Sequence, residues 1–412
     1  MFTFFTFWVE LVMNQINRLI FHRLQQEITQ PEVNILLGAR QVGKTTLLHA
    51  LESYAQSAGY KTAFFDLEQP QVLAEFNRPS QQIIDRLKAA GQIIFIDEFQ
   101  YLENASKIFK AIYDGTEKVK IVCTGSSSLE IHKHLHESLA GRRILFYISP
   151  LLYEEIKAAF PTSTLSEYLA YGGMPALTHV SLESRKQLLL TELLGAYILK
   201  DVKSLVREEN IRAFNHLLYL LAQNQGALVS GHALSKEINM SAKAVARYLE
   251  ILEQTFVNFH VCSYSTNLGN ELKKSFKTYF YDTGIRNAIL RDYAHFDGRP
   301  DQGAILESMV FMTLRSRLLP NMELKFWRTK DGSEVDFVLL KNRKPIPIEV
   351  KSRLSGPEIP RGLKRFIDRY PNTKAAYVVN LNRRGTVLFK NCCVQFLTFE
   401  EVAQNAWIPG AD

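Results

Sequence analysis

The sequence predicts an α/β protein built from several domains, and three observations carry that prediction. At 412 residues the chain is longer than one hydrophobic core ordinarily serves, so about two to four domains of roughly 100–200 residues are expected. Through the first 150 residues the short apolar runs VNILL, TAFFDLE, QIIFIDE, KVKIVCTG and RRILFYI alternate with helical stretches, which is the pattern of βαβ units around a buried parallel sheet. Near the end a helical stretch, AILESMVFMTLRSRLL, precedes the strand-like runs EVDFVLL, PIPIEVK and AAYVVNL, which reads as a second, independent α/β unit.

Composition sets the class. With 46% hydrophobic and 22% charged residues, the chain matches folded globular proteins and excludes disordered or fibrous ones. A net charge of +7 and a pI near 9.0 permit contact with phosphate backbones without requiring it. Cys123, Cys262, Cys392 and Cys393 show no metal or redox spacing, and an adjacent pair is poorly placed to form a staple. A reducing, cytoplasmic compartment fits this usage. The opening MFTFFTFWVELV lacks a basic flank and is shorter than the roughly 20 residues of a membrane span, so no membrane association is expected. Met13 opens an amphipathic stretch, MNQINRLIFHRLQQEI. Residues 1–29 are therefore read as an N-terminal arm, with 1–12 an extension ahead of the expected translation start.

The strongest motif is Gly38-Ala39-Arg40-Gln41-Val42-Gly43-Lys44-Thr45, which satisfies G-x-x-x-x-G-K-[ST] and stands between a strand and a helix, as a phosphate-binding loop must. Its glycines let backbone N–H groups curl around an anion at a helix N-terminus. Lys44 then reaches the terminal phosphates, the Thr45 hydroxyl holds Mg²⁺, and Thr46 completes the set of binding residues. About fifty residues on, the strand Ile93-Ile94-Phe95-Ile96 ends in Asp97-Glu98, at the sheet edge where the loop lies. Asp97 is expected in the Mg²⁺ shell and Glu98 as the base that polarises water. ATP and Mg²⁺ are the implied ligands. The alternative is a Gly-rich turn followed by a capped strand.

Further along the 30–151 segment, Thr124 and Ser126 end a third strand and are candidates to sense the γ-phosphate, although Ser and Thr also serve there as turn formers. Arg142, in Gly141-Arg142-Arg143, is a candidate finger on a neighbouring subunit's nucleotide, implying a homo-oligomer. A plain surface arginine is the alternative. His132, His134 and His136 lack the companions of a metal site.

From 152 to 206 the pattern turns helical, interrupted by Tyr171-Gly172-Gly173-Met174-Pro175, and reads as a lid. Within 207–300, HALSKEI and AKAVARYLEILEQ flank Asn239-Met240-Ser241, a helix-turn-helix spacing with Ser241 as cap. Lys243 and Arg247 share one face of the second helix and suit phosphates, while Glu250 and Glu253 oppose them, so DNA and a protein partner both stay open. The segment from Tyr264 to Gly303 reads as loop-rich.

The series LLGARQVGKTTLL, IIFIDEFQ, CTGSSS, LAGRR, YGGMP, ILKDV and YFYDTGIRN resembles the prokaryotic AAA+ ATPases whose P-loop domain is fused to a C-terminal domain of unknown function. The likeness runs from about Asn17 to Lys351. It implies a P-loop NTPase parallel-sheet domain, a helical lid, a winged-helix-like middle domain and a restriction-endonuclease-like α/β C-terminal domain at 301–412. In that last segment alternation sets Asp336 opposite Val335 and Phe337, and Glu349 beside Lys351. With Glu307 on the preceding helix, this set resembles the PD-(D/E)xK nuclease core. There the three carboxylates would bind Mg²⁺ and Lys351 would act on the attacking water. Outward polar positions of half-buried strands are the alternative.

The resulting expectation is a Mg²⁺-dependent ATPase whose nucleotide state moves a DNA- or partner-facing C-terminal half. An ATP-gated regulatory protein with negligible turnover and an ATP-regulated DNA nuclease are its rivals.

Overall fold

The computed structural model describes residues 16–125, 139–197, 211–265 and 275–404. Ser126, the three histidines at 132, 134 and 136, and the expected start at Met13 lie outside these residues.

The first sheet is β1 (Val33–Leu37), β2 (Thr62–Asp66), β3 (Ile93–Asp97), β4 (Lys120–Gly125) and β5 (Arg143–Tyr147), ordered β2-β3-β4-β1-β5 and parallel throughout. Strands β1, β3 and β4 are buried along their whole length, which is why they read as unbroken apolar runs rather than alternations. Helix α1 (Leu19–Glu27) leads into β1, and α2 (Lys44–Ser57) follows the phosphate-loop sequence. Helices α3 (Pro70–Phe76), α4 (Ser80–Ala90) and α5 (Ala105–Asp114) complete the connections. Because β4 is inserted between β1 and β3, the end of β4 stands directly between the loop after β1 and the acids ending β3.

Three helices follow, α6 (Tyr153–Ala159), α7 (Leu165–Tyr171) and α8 (Glu183–Tyr197). The Gly172-Gly173 turn after α7 is held from a distance. The Gly173 N–H donates to Asp282 Oδ2 at 2.7 Å, and the Leu151 N–H donates to the Gly173 carbonyl at 2.8 Å. Gly172 has φ 75°, and a Cβ on Gly173 would strike the Leu151 carbonyl, so this turn tolerates little but glycine.

The middle segment runs α9 (Ile211–Gln223), β6 (Leu228–Ser230), α10 (Gly231–Glu237), α11 (Ala242–Gln254), β7 (Asn258–Cys262) and β8 (Ser275–Phe280). Its three strands form an antiparallel sheet ordered β6-β8-β7. Ser230 and Ser241 accept the Ala233 and Ala244 N–H groups and cap the two helices. The expected loop-rich segment from Tyr264 to Gly303 is corrected here: it contains β8 and a further helix, α12 (Thr283–Leu290). The strand escaped notice because Lys277, a residue type that is almost never buried, sits in it fully enclosed. Helix α12 returns to α7, where the Asn287 side-chain amide donates to the carbonyls of Leu169 at 3.0 Å and Ala170 at 2.9 Å.

Helix α13 (Gln302–Ser316) opens the last unit. Its sheet contains β9 (Met322–Arg328), β10 (Glu334–Lys341), β11 (Lys344–Val350), β12 (Ala375–Asn380), β13 (Gly385–Phe389) and β14 (Cys392–Thr398), with α14 (Arg361–Arg369) and α15 (Phe399–Gln404). The order is β13-β14-β12-β11-β10-β9. Strands β11, β12 and β14 are mutually parallel and the outer pairings are antiparallel.

Asp282 joins the turn after α7 to α12, because besides the Gly173 N–H it accepts the Ile285 N–H at 2.9 Å as the cap of α12. Burial pushes its carboxyl up to about 6 against the pull of these N–H groups. A folded-state value above the unfolded 3.8 means this group's contribution to stability is present at low pH and lost as pH rises through about 6. Relative to Asp282→Asn, the wild type should therefore gain in melting temperature as pH falls from about 7 to about 4. A pH-independent difference between the two proteins would show that the carboxyl does not titrate in the interior.

Candidate nucleotide site and a second carboxylate cluster

The loop after β1 adopts the curl its glycines permit. Gly43 has φ 93° and Gln41 φ 60°, and a Cβ on Gly38 would run into the Ile148 carbonyl beyond β5. Ala39 and Val42 are buried, while Arg40 forms a long ion pair with Glu68 at 3.9 Å. Lys44, only 5% exposed, donates to the carbonyls of Gly38 at 3.1 Å and Ala39 at 2.8 Å. Thr46 follows on α2 and is half-buried.

A hydrogen-bonded chain crosses the sheet edge. The Thr45 hydroxyl donates to Asp97 Oδ2 at 2.7 Å, and the Thr124 hydroxyl donates to Asp97 Oδ1. Thr124 Oγ1 also accepts the Glu98 N–H at 3.0 Å, holding Glu98 in a left-handed conformation at φ 52°. Asp97 is 4% exposed. Burial raises its pKa above the ordinary carboxyl value, and the two hydroxyls pull it back. A hydroxyl and a carboxylate side by side at the loop's mouth fit the ligand set of a phosphate-bound Mg²⁺, whose other positions belong to waters and phosphate oxygens. The Glu98 carboxylate is itself held by the Gln100 amide.

Arg142 stands elsewhere. Register pairs Val33 with Arg143 and Leu37 with Tyr147, so Arg142 precedes β5 at the amino edge of the sheet, roughly 16 Å of strand away from the loop. Its guanidinium pairs with Asp114 at 2.7 Å. Arg142 is therefore remote from the nucleotide side of its own sheet.

Sequence reasoning passed over Arg18. This buried side chain donates to the Val42 carbonyl of the loop at 2.9 Å, to the Ser149 carbonyl at 2.7 Å and to Glu155 Oε1 at 3.1 Å. Glu155 in turn accepts the Leu19 and Leu152 N–H groups. One buried ion pair thus ties the entry to α1, the underside of the loop and the start of α6. The signal available was a lone arginine ahead of an apolar helix, which most often lies at the surface.

In the C-terminal unit, Glu307 on α13, Asp336 on β10 and Glu349 on β11 do gather, with Asp336 Oδ2 accepting the Val350 N–H at 2.9 Å. Lys351 pairs with Glu349 Oε1 at 2.7 Å. Among the described residues no group of three His, Cys, Asp or Glu side chains is arranged to hold a metal ion. The cation among these carboxylates is the ammonium of Lys277, at 2.9 Å from Glu307, 2.6 Å from Glu334 and 3.2 Å from Asp336. Burial and the neighbouring Asp336 push Glu349 up to about 8 and Glu307 up to about 7.

On α11 Lys243 and Arg247 are exposed, while Val245, Tyr248, Leu249 and Leu252 turn inward. No helix among the described residues is long and apolar enough to cross a membrane.

Comparison with known proteins divides the chain in three. Residues 30–157 match the family model described as an AAA domain. Residues 162–294 and 302–399 match two models described as domains of unknown function, DUF8612 and DUF4143. The first segment is thus similar to AAA domains, which supports nucleotide binding. An uncharacterized protein of Mycobacterium tuberculosis is 26% identical over 345 residues, 83% of this chain and 75% of its own length. One of Methanocaldococcus jannaschii is 25% identical over 374 residues, 85% of this chain and 81% of its own. Alignments of that length necessarily include parts of all three segments, so the segments recur together in one chain. Among solved structures, a replication initiator DnaA bound to AMPPCP and single-stranded DNA is 17% identical with a TM-score of 0.32, covering 59% of this chain and 91% of its own.

Replacing Thr124 by Val should leave Asp97 Oδ1 and the Glu98 N–H without their shared partner, at a cost of about 1–3 kcal/mol. Denaturant unfolding of the variant checks this. A shift below about 0.5 kcal/mol, the range of neutral surface substitutions, would mean that Thr124 does not hold the two acids.

Proposed function

We propose that the chain is a slowly hydrolysing, Mg²⁺-dependent ATPase whose nucleotide state is relayed through the 152–206 lid to the middle and C-terminal segments. The observation that carries this is the hydrogen-bonded chain Thr45–Asp97–Thr124–Glu98, which supports reading Thr45 and Asp97 as a metal-binding pair and Glu98 as a base beside the phosphate loop. In this reading the amides from Gly38 to Thr46 and the Lys44 ammonium hold the triphosphate. Thr45 and Asp97 hold the Mg²⁺, whose role is to neutralise phosphate charge. Glu98 orients water. Its bond to Gln100 must open first, which favours slow turnover and gives weight to a second reading, a nucleotide-gated switch.

Calorimetry should find MgATP binding to the intact chain that Lys44→Ala abolishes; undiminished binding would overturn the assignment. If the protein turns over ATP, Glu98→Gln should lower the rate by about 10²- to 10⁴-fold, the usual contribution of a general base. Equal turnover in both proteins would favour the switch.

The middle segment, with its helix, short strand, two helices and returning strands, supports a winged-helix reading for 207–300. The exposed Lys243 and Arg247 on α11 suit a nucleic-acid backbone. The double substitution to Ala should weaken duplex DNA binding and reduce the salt slope by about 2, one for each phosphate left without its cation; an unchanged slope would direct this face to a protein partner. Arg142 could serve as a finger only from a neighbouring subunit. Because Lys277 fills the carboxylate cluster, the 301–412 unit is proposed as a binding module rather than a nuclease.

A further inference from the structure

Where the three segments meet, their packing leaves a cavity of about 330 Å³, a volume within the range of small-molecule sites. Its apolar walls come from Phe146 and Tyr147 of β5, from Phe256, Phe259 and Tyr281 of the middle segment, and from Met312 of α13. Ala39 of the phosphate loop touches it, but Lys44, Thr45, Asp97 and Glu98 do not line it. The cavity is therefore separate from the candidate nucleotide site.

Among the described residues the charged side chains in this wall are Arg23 of α1 and Arg315 of α13, and no Asp or Glu lines the cavity. The Arg315 guanidinium lies 3.8 Å from the centre of the Phe259 ring, and that of Arg23 5.5 Å from the centre of Phe146. Stacking occupies the face of a guanidinium and leaves its N–H edge to fork an anion. Burial lowers the pKa of Arg315, and Glu253 opposes that shift. Glu253 is itself paired with His260 at 3.2 Å.

The backbone at Phe256 is a second, independent observation. Helix α11 closes with the Val257 N–H on the Leu252 carbonyl at 2.8 Å and the Phe256 N–H on the Glu253 carbonyl at 3.1 Å, a pattern whose left-handed residue is usually glycine. Here it is a phenylalanine at φ 62°, a conformation that bulky side chains avoid. Its ring stands 6.1 Å from that of Tyr147. Strain is thus accepted where an aromatic surface is presented to the cavity.

We propose that this cavity binds a small aromatic acid, whose ring lies among Phe146, Tyr147, Phe256 and Phe259 and whose anionic group is held by Arg315 and Arg23. Such an occupant touches all three segments at once and so favours their packed arrangement.

Fluorescence titration of the nucleotide-free, full-length chain with anilinonaphthalene sulfonate, compared with the neutral phenylnaphthylamine, tests this. The sulfonate should occupy one saturable site at least about tenfold more tightly than the neutral dye, as a charge-assisted pair implies. Arg315→Met should remove about that tenfold preference while leaving the neutral dye within about twofold. Should Arg315→Met not fold, Arg23→Met, at an exposed position, carries the same expectation. Ser316→Trp, which adds a ring to the wall from another exposed position, should weaken both dyes, and Lys44→Ala should change neither, which keeps the result apart from the ATPase reading. Equal binding of the two dyes, a sulfonate affinity that survives removal of the arginine or Ser316→Trp, or its loss in Lys44→Ala would overturn the proposal.

Discussion

Taking a carboxylate out of water is costly unless fixed donors replace the lost hydration, and the junctions of this protein are built on that constraint. Glu155 is held by Arg18 and two backbone N–H groups where α1, the phosphate loop and the lid converge. Asp282 is held by backbone N–H groups where the lid meets the middle segment. The cluster around Asp336 is held by Lys277 where the middle segment meets the C-terminal sheet. Each anion depends on donors from a different part of the chain, so separating the parts would strand a charge in the interior.

Asp97 differs in kind. Its two partners are hydroxyls rather than cations, and burial raises its pKa while they pull it back. In the proposed function a divalent ion carried by a phosphate would complete that arrangement. The contrast with the C-terminal cluster is physical: Asp97 is held by hydroxyls, whereas the carboxylates around Asp336 are held by the ammonium of Lys277. The insertion of β4 between β1 and β3 is what allows Thr124 to hold both Asp97 and the Glu98 backbone.

Two of the motifs read as separate marks along the sequence prove to be one construction. The glycines at 172 and 173 and the Asp282 to Asn287 stretch lie more than a hundred residues apart, yet the turn of the first is seated on the carboxylate of the second. Asn287 then closes the end of α7. The Gly284 backbone passes so near the Tyr171 carbonyl that a side chain there would collide with it. The helices after β5 are therefore fastened to the middle segment at their glycine turn.

The sequence by itself determined the parallel sheet, the phosphate loop and the acids ending β3. These depend on local patterns: unbroken apolar strands, a glycine spacing, and a carboxylate at a strand's end. Strand alternation also set Asp336 opposite its apolar neighbours and Glu349 beside Lys351, and the resemblance to a nuclease core grouped them with Glu307. Only the tertiary structure decided what those residues face. Arg18 and Lys277 are long cations of the kind that ordinarily lie in water, and nothing in their neighbours along the chain marks them as buried. Their roles come from carboxylates 137 and, for Glu307, 30 residues away. Such pairing follows from how the segments pack together, and that packing has no signature in local periodicity.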